Sequence, residues 1–293
     1  MPRTAAGVRA DTTARLDELA RRRPEWQTWL RLVDLAWRAL DDGRWHISVN
    51  EIETARTFAS SPGDAPLLHG RTLEVDAVRI HRLVRDLAST ALPTRRYRPT
   101  PAQALELISA AIRHDSETMS RFAAQDDVDV AALSTVAHMA ALPVLQSCGQ
   151  LLVDRLPSSW QAGYCPVCAA WPLIAERRGL DRSRRLRCGR CAADWEVPWL
   201  FCIYCGEQDH QKLGSLEPDG GGEMLKVETC ASCRGYLKSV ASLQGFSPLD
   251  LLLQDLETVE FDLIALEREY HRPVNHAFPL EVQVVDHASR RHL

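Results

Sequence analysis

Tyr164-Cys165-Pro-Val-Cys168, Leu186-Arg-Cys188-Gly-Arg-Cys191, Cys202-Ile-Tyr-Cys205 and Thr229-Cys230-Ala-Ser-Cys233 lie within one window that ends near Lys238. Each is a Cys-x-x-Cys pair. A two-residue spacer lets both thiolates of a pair converge on one ion, and two pairs complete the tetrahedral sulfur shell favoured by structural zinc and rubredoxin-type iron. Nineteen residues separate the first two pairs and twenty-four the last two, which leaves room for a hairpin between them. Sequential pairing predicts one site from Cys165, Cys168, Cys188 and Cys191, and a second from Cys202, Cys205, Cys230 and Cys233. Spacing alone leaves a crossed pairing open, and it does not separate zinc from iron.

Between the first two pairs, Leu173 and Ile174 and then Leu186 read as two short strands with Gly179 at the turn; between the last two, Lys212 to Leu216 and Met224 to Val227 flank Asp219-Gly-Gly-Gly222. Hairpins this small bury too little apolar surface to hold themselves together, so a metal contributing roughly 10–16 kcal/mol per site is their expected source of stability. A closed four-thiolate shell has no open position for substrate, which argues against catalysis by the metal. Redox cycling of a pair would need a thiol of low pKa at a helix start. Cys148, alone on an apolar stretch, reads as a buried free thiol, and His138 has no second ligand at metal spacing.

Seven arginines, Arg177, Arg178, Arg182, Arg184, Arg185, Arg187 and Arg190, crowd between the first two pairs against only Glu176 and Asp181. Such a patch could bind phosphate, offset the negative charge of a four-thiolate site, or meet an acidic partner. The aromatic interleaving of single-strand binders is missing around it.

Outward from the cysteines the pattern turns helical. Trp26, Leu30, Val33 and Trp37 share one side after Pro24, and Asp41-Asp-Gly43 supplies a stop. A next segment starts after Ser48 and ends near Ser60-Ser-Pro-Gly63. Val75, Val78, Leu83 and Leu87 suggest another helix that stops at Leu92-Pro93, and Ala104, Leu107, Ile108 and Ile112 follow Thr100-Pro101. Trp26, Trp29, Trp37 and Trp45 read as packing residues and carry no assigned function. Beyond the cysteines, Ser247-Pro248 opens a helix with Leu249, Leu252, Leu256, Val259, Leu263 and Leu266 on one face, expected to pack back and to run to about Tyr270. After Arg272-Pro273 the tail shows no pattern.

The expected fold is therefore a multidomain α+β protein. It comprises an all-helical domain over 1–160, two tandem ribbons over 161–245 (about 161–200 and 201–245), a C-terminal helix over 246–272 and a tail over 273–293. A length of 293 residues suits about two domains, and 45% hydrophobic with 25% charged residues is ordinary for a soluble chain. A net charge of −4 opposes a generally nucleic-acid-binding surface. Arg3, Arg9 and Asp11 interrupt any signal peptide, so a cytoplasmic location is expected, where nine cysteines favour metal over disulfides. The apolar run Ala131–Val153 contains His138, Gln146, Gln150 and Pro143 and reads as a kinked core helix or a helix pair, with no membrane insertion.

The four pairs sit in a wider pattern that includes Cys191-Ala-Ala-Asp-Trp195, Glu228-Thr-Cys230-Ala-Ser-Cys233-Arg-Gly-Tyr236-Leu-Lys238, Asp255-Leu-Glu, Arg268-Glu-Tyr270, Asn275 and Phe278. More loosely, Arg22-Arg-Pro-Glu-Trp26 belongs to it as well. This pattern resembles the formate dehydrogenase accessory proteins, the FdhE family, over most of the chain; Ala169 stands where that family commonly has glycine. The resemblance implies a non-enzymatic cytoplasmic chaperone-like factor. It would assist maturation of respiratory formate dehydrogenase, bind its catalytic subunit and hold two mononuclear rubredoxin-like iron centres, with zinc as the alternative. The other readings are a zinc-ribbon nucleic-acid binder and a Cys-x-x-Cys thiol oxidoreductase. Self-association is left open.

Overall fold

Helix starts in this chain are set by side chains that satisfy the backbone N–H groups left free in a first turn. Thr100 forms a reciprocal capping box with Gln103 ahead of Pro101, while Asp76 and Asp115 accept from the backbone N–H groups of Arg79 and Thr118 at 3.0 Å each. The computed structural model describes residues 5–41, 45, 47–51, 65–92, 97–157, 160–217, 224–274 and 277–287. The Ser60–Gly63 loop and the Asp219–Gly222 turn expected from the sequence lie outside them.

The chain forms two units, Met1–Asn50 with Thr72–Ser147 and Val282–Leu293, and Glu51–Arg71 with Cys148–Glu281. The first holds α1 (Ala5–Arg22), a 3-10 turn at Pro24–Trp26, α2 (Gln27–Asp41), α3 (Ala77–Ala91), α4 (Pro101–Arg113), α5 (Ser116–Asp126) and most of α6 (Val130–Leu152). Ile80, Val84, Leu87, Leu107, Ile108, Ile112 and Leu133 are fully buried and form its interior. Trp26, Trp29, Trp37 and Trp45 are half-buried. Pro143 sits inside a continuous α6, where it removes one backbone donor without ending the helix. The stretch Val130–Arg155 is long and apolar enough to cross a membrane by composition, but 61% of its apolar window is buried within the protein, as in a core helix.

The expectation of an all-helical N-terminal region is corrected by a three-stranded sheet in this unit. It comprises β1 (Ser48–Glu51), β2 (Arg71–Val75) and β9 (Val282–Asp286) in the order β1-β2-β9. Ser48 therefore opens a strand, Val75 ends one rather than starting a helix, and the unpatterned tail supplies the third. Four or five residues show no readable period of their own. Pairing stabilises them, and Asp286 also accepts from the N–H of Ala77, 209 residues away in sequence.

The second unit is built on a six-stranded sheet of β3 (Ile174–Arg178), β4 (Ser183–Arg187), β5 (Asp194–Glu196), β6 (Leu213–Leu216), β7 (Leu225–Cys230) and β8 (Tyr236–Ser242), in the order β5-β4-β3-β8-β7-β6. Each ribbon contributes three antiparallel strands, and the two triplets join where β3 runs parallel to β8, with Ala175 opposite Ser239 and Arg178 opposite Ser242. The ribbons thus form one sheet.

α7 (Pro248–Glu257) and α8 (Val259–Glu267) lie against one face of that sheet. Leu251 packs with Ile174 and Val240, and Ala265 with Val227 and Tyr236. The single C-terminal helix expected from the sequence is broken at Thr258, whose hydroxyl donates to the carbonyls of Gln254 and Asp255 at 2.7 and 3.2 Å. The break turns α8, so Leu249 and Leu252 are buried as expected while Val259, Leu263 and Leu266 face solvent.

Candidate metal centre

All four Cys-x-x-Cys segments fold into the same turn. In each, the N–H of the first cysteine donates to the carbonyl five residues on: Cys165 to Ala170, Cys188 to Ala193, Cys202 to Glu207 and Cys230 to Gly235, at 2.8–3.0 Å. The residue after the second cysteine is left-handed every time, with φ of 61° at Ala169, 63° at Ala192, 76° at Gly206 and 58° at Arg234. Within the turn, before that residue, successive backbone N–H groups point back at the first sulfur. Val167 and Cys168 donate to Cys165 Sγ at 3.4 and 3.5 Å, as do Arg190 and Cys191 to Cys188 Sγ. Such donors favour the thiolate form.

The turns group sequentially, which decides the pairing that spacing left open. Cys165, Cys168, Cys188 and Cys191 form one cluster and Cys202, Cys205, Cys230 and Cys233 the other, with the sulfurs of each within 4.8 Å of one another. Across the paired turns, sulfur–sulfur distances are 3.3 and 3.5 Å in the first cluster and 3.6 and 3.7 Å in the second. A tetrahedron with metal–sulfur bonds of about 2.3 Å has edges of about 3.8 Å, so both clusters could hold a metal ion.

Burial pushes the thiols of Cys165 and Cys191 well up, whereas Cys188 is held low against burial by the surrounding thiols of Cys165, Cys168 and Cys191. Only with a cation among them would all four sulfurs ionise in such a space. The donor set fits zinc and ferrous iron equally.

The two clusters differ in access. The first is sealed, whereas in the second Cys205 is exposed and Cys233 half-buried. The seal comes partly from residues far away in sequence. Leu67 and Leu68 donate backbone hydrogen bonds to Pro166 and Val167 at 2.7 and 3.0 Å, and Gly149 lies so close to the Cys191 carbonyl that a Cβ there would fall 2.1 Å from its oxygen. At the second cluster, Glu207 ties one turn to the other, accepting from Ser232 Oγ at 2.6 Å and Lys212 Nζ at 3.2 Å. None of these residues was singled out from the sequence, and the positions equivalent to Glu207 in the other turns, Ala170, Ala193 and Gly235, give no signal for it.

The arginine patch is largely turned inward. Arg187 and Arg178 both pair with the fully buried Glu176, Arg178 also with Asp194 at 2.7 Å, and Arg185 with Asp194 and Glu196 at 2.5 and 3.2 Å. Arg184 is buried, pairs with Glu228 at 2.7 Å and donates to the Pro198 carbonyl at 2.9 Å. These carboxylates join the strands of the sheet, and they leave little of the basic surface that a phosphate backbone would need. Cys148 is buried, and burial pushes its thiol up to about 12. His138 hydrogen-bonds the Ser134 carbonyl at 2.7 Å. Neither joins a cluster.

A second group lies opposite the helices and was also missed. Lys238, fully buried on β8, reaches Asp255 Oδ1 at 2.7 Å and Asp262 Oδ2 at 2.6 Å, and Arg272 reaches Asp262 at 3.0 Å. Tyr236 donates to Asp262 Oδ1 at 2.9 Å. This network fastens α7 and α8 to the sheet that carries the cysteines.

Residues 200–278 match the family model described as FdhE, C-terminal domain. A protein FdhE homolog of Stutzerimonas stutzeri strain A1501 is 34% identical over 111 residues, which cover 37% of this chain and 35% of that protein. Another, of Pseudomonas aeruginosa strain PAO1, is 34% identical over 114 residues and 37% of each chain. The matched part of the chain thus spans little more than a third of the length of these relatives. The crystal structure of the FdhE protein from Pseudomonas aeruginosa superposes with a TM-score of 0.54 at 22% identity, covering 94% of this chain and 96% of that one. The fold is shared, and the resemblance to FdhE read from the cysteine motifs holds.

Proposed function

We propose that this chain is a non-catalytic accessory factor for the maturation of formate dehydrogenase. It binds the catalytic subunit of that enzyme through a scaffold held together by two metal ions, in the cytoplasm. Cys165, Cys168, Cys188 and Cys191 hold one ion and Cys202, Cys205, Cys230 and Cys233 the other. Iron is the assigned metal, on the resemblance to FdhE, with zinc as the alternative for the same donors. The observation that carries the reading is the pair of four-sulfur clusters built into one continuous sheet, the second of them, with β6, β7 and β8, inside the region 200–278 that matches the FdhE C-terminal domain model. Closed sulfur shells suit stabilisation rather than substrate activation, which supports a binding role.

The test is anaerobic co-purification with the catalytic subunit of a formate dehydrogenase from the same source. Wild type is compared with Cys188→Ser and Cys230→Ser, and metal content is measured on each. Capture by wild type and loss in the variants supports the reading. No capture by folded, metal-loaded wild type overturns it.

A further inference from the structure

Three of the four cysteine turns place alanine or glycine at the left-handed position, Ala169, Ala192 and Gly206; the fourth places Arg234 there at φ 58°. A long side chain is uncommon in that conformation, which among the described residues Arg182 and Glu269 also adopt, at φ 55° and 62°. Arg234 reaches the end of α8. Its guanidinium donates to the carbonyls of Arg268 and Glu269, the latter at 3.3 Å, and lies 4.1 Å from the ring centroid of Tyr270. Carbonyls at a helix C-terminus lack intrahelical donors and carry partial negative charge, so the arginine caps the helix as well as stacking beside it.

The backbone of the same turn is joined to the same segment. His271 donates to the Arg234 carbonyl at 2.8 Å, and Tyr236 donates to the His271 carbonyl at 3.2 Å, forming a short parallel bridge beside Gly235. Gly235 is compressed against the second cluster, where a Cβ would fall 2.4 Å from Tyr204 and 3.1 Å from Cys233 Sγ. Residues 268–270 also close the end of α8 through its own backbone bonds, Glu269 to the Leu266 carbonyl and Tyr270 to the Ala265 carbonyl at 2.9 Å each, and the turn Cys230–Gly235 adds the Arg234 side chain and the bond from His271 to that end.

We propose that the second metal site is a latch, in which an ion on Cys202, Cys205, Cys230 and Cys233 holds the end of α8 through Arg234. The proposal rests on the metal-binding reading above. A turn of this size keeps its shape because both thiolates converge on the ion, so an empty site loses the left-handed position that aims Arg234 at the helix end. Exposure of Cys205 makes this site the one a chelator or a competing thiol can reach. Release of residues 268–271 would free the end of a helix that already carries Leu263 and Leu266 into solvent. The surface of the protein would then depend on metal supply.

Hydrogen exchange read by mass spectrometry on the full chain, with metal counted on the same samples, tests this. Treatment of wild type with EDTA until one metal per chain remains, and separately Cys205→Ser, should speed exchange of the 266–272 peptides by about tenfold or more while β3 and β4 stay protected. Cys168→Ser should loosen the first ribbon and leave 266–272 as in wild type. Arg234→Gly, which suits the backbone and removes only the clamp, should release 266–272 with both metals retained. Protection of 266–272 that persists in Arg234→Gly, or after metal has left the second site, overturns the latch. Wild type that holds no metal under any loading condition overturns the metal reading, and the latch with it.

Discussion

Lys238→Met tests the energetics of the unit most directly. The lysine is fully buried, and its ammonium lies 2.6 and 2.7 Å from the carboxylates of Asp262 and Asp255 and 2.7 Å from the Asp255 carbonyl. Methionine has nearly the same volume, so the loss is electrostatic rather than a cavity. Removing one partner of a buried ion pair costs about 3–5 kcal/mol, because the other charge is left without compensation. Here Arg272 still reaches Asp262 at 3.0 Å and both aspartates are partly exposed, which places the expected loss near the lower end, about 3 kcal/mol. Against a typical stability of about 5–15 kcal/mol this is a large fraction.

Urea unfolding of metal-loaded protein, followed by circular dichroism, should show a lower midpoint with an unchanged slope. Adding Asp262→Leu to Lys238→Met should recover part of the loss, since Arg272 then faces the single carboxylate of Asp255 at 3.5 Å and the excess negative charge left by the first change is gone. A change of under about 1 kcal/mol for Lys238→Met would refute the view that this network fastens the helices to the sheet.

A chelator in excess should remove metal in two phases, the first from the site containing the exposed Cys205; a single phase for both ions, read from the absorbance of the chelate, would contradict the difference in burial. Ala169→Gly should raise stability by about 0.5–1 kcal/mol, because relief of the left-handed backbone outweighs the added unfolded-chain entropy, and the shift should appear in thermal melts. The backbone N–H of Thr118, helped by its hydroxyl and by Arg113, holds the Asp115 carboxyl below the usual range. Because the folded value is the lower one, its contribution is complete above the unfolded value of about 3.9 and is lost as pH falls below that towards the folded value. Asp115→Asn should therefore flatten the acid limb of stability measured by urea titration between pH 5 and 2, on the order of the pH range where carboxylates protonate.

Much of the centre is legible in the sequence. The four Cys-x-x-Cys pairs carry their chemistry in local spacing, and Thr100-Pro101 and Ser247-Pro248 carry helix starts in theirs. What could not be read is long-range. Strands β1 and β9 are too short to show a period, and nothing near Val282 indicates β2 as its partner. The seven arginines read as a surface because Glu228, Asp194 and Glu196, which pair with Arg178, Arg184 and Arg185 among them, lie on other strands. The apolar stripe from Leu249 to Leu266 was a sound helical pattern, but it assumed one axis, and Thr258 breaks that axis.

The sequence by itself determined the donor atoms and their turns, because two thiolates two residues apart, followed by a left-handed position, form a local geometry that needs little else. The tertiary structure alone decided that the two ribbons share one sheet through β3 and β8, that the first site is sealed and the second open, and that Lys238 and Arg234 hold the helices. Those outcomes depend on contacts between residues tens to hundreds of positions apart, whose free energy comes from burial and charge pairing that no single stretch of sequence expresses.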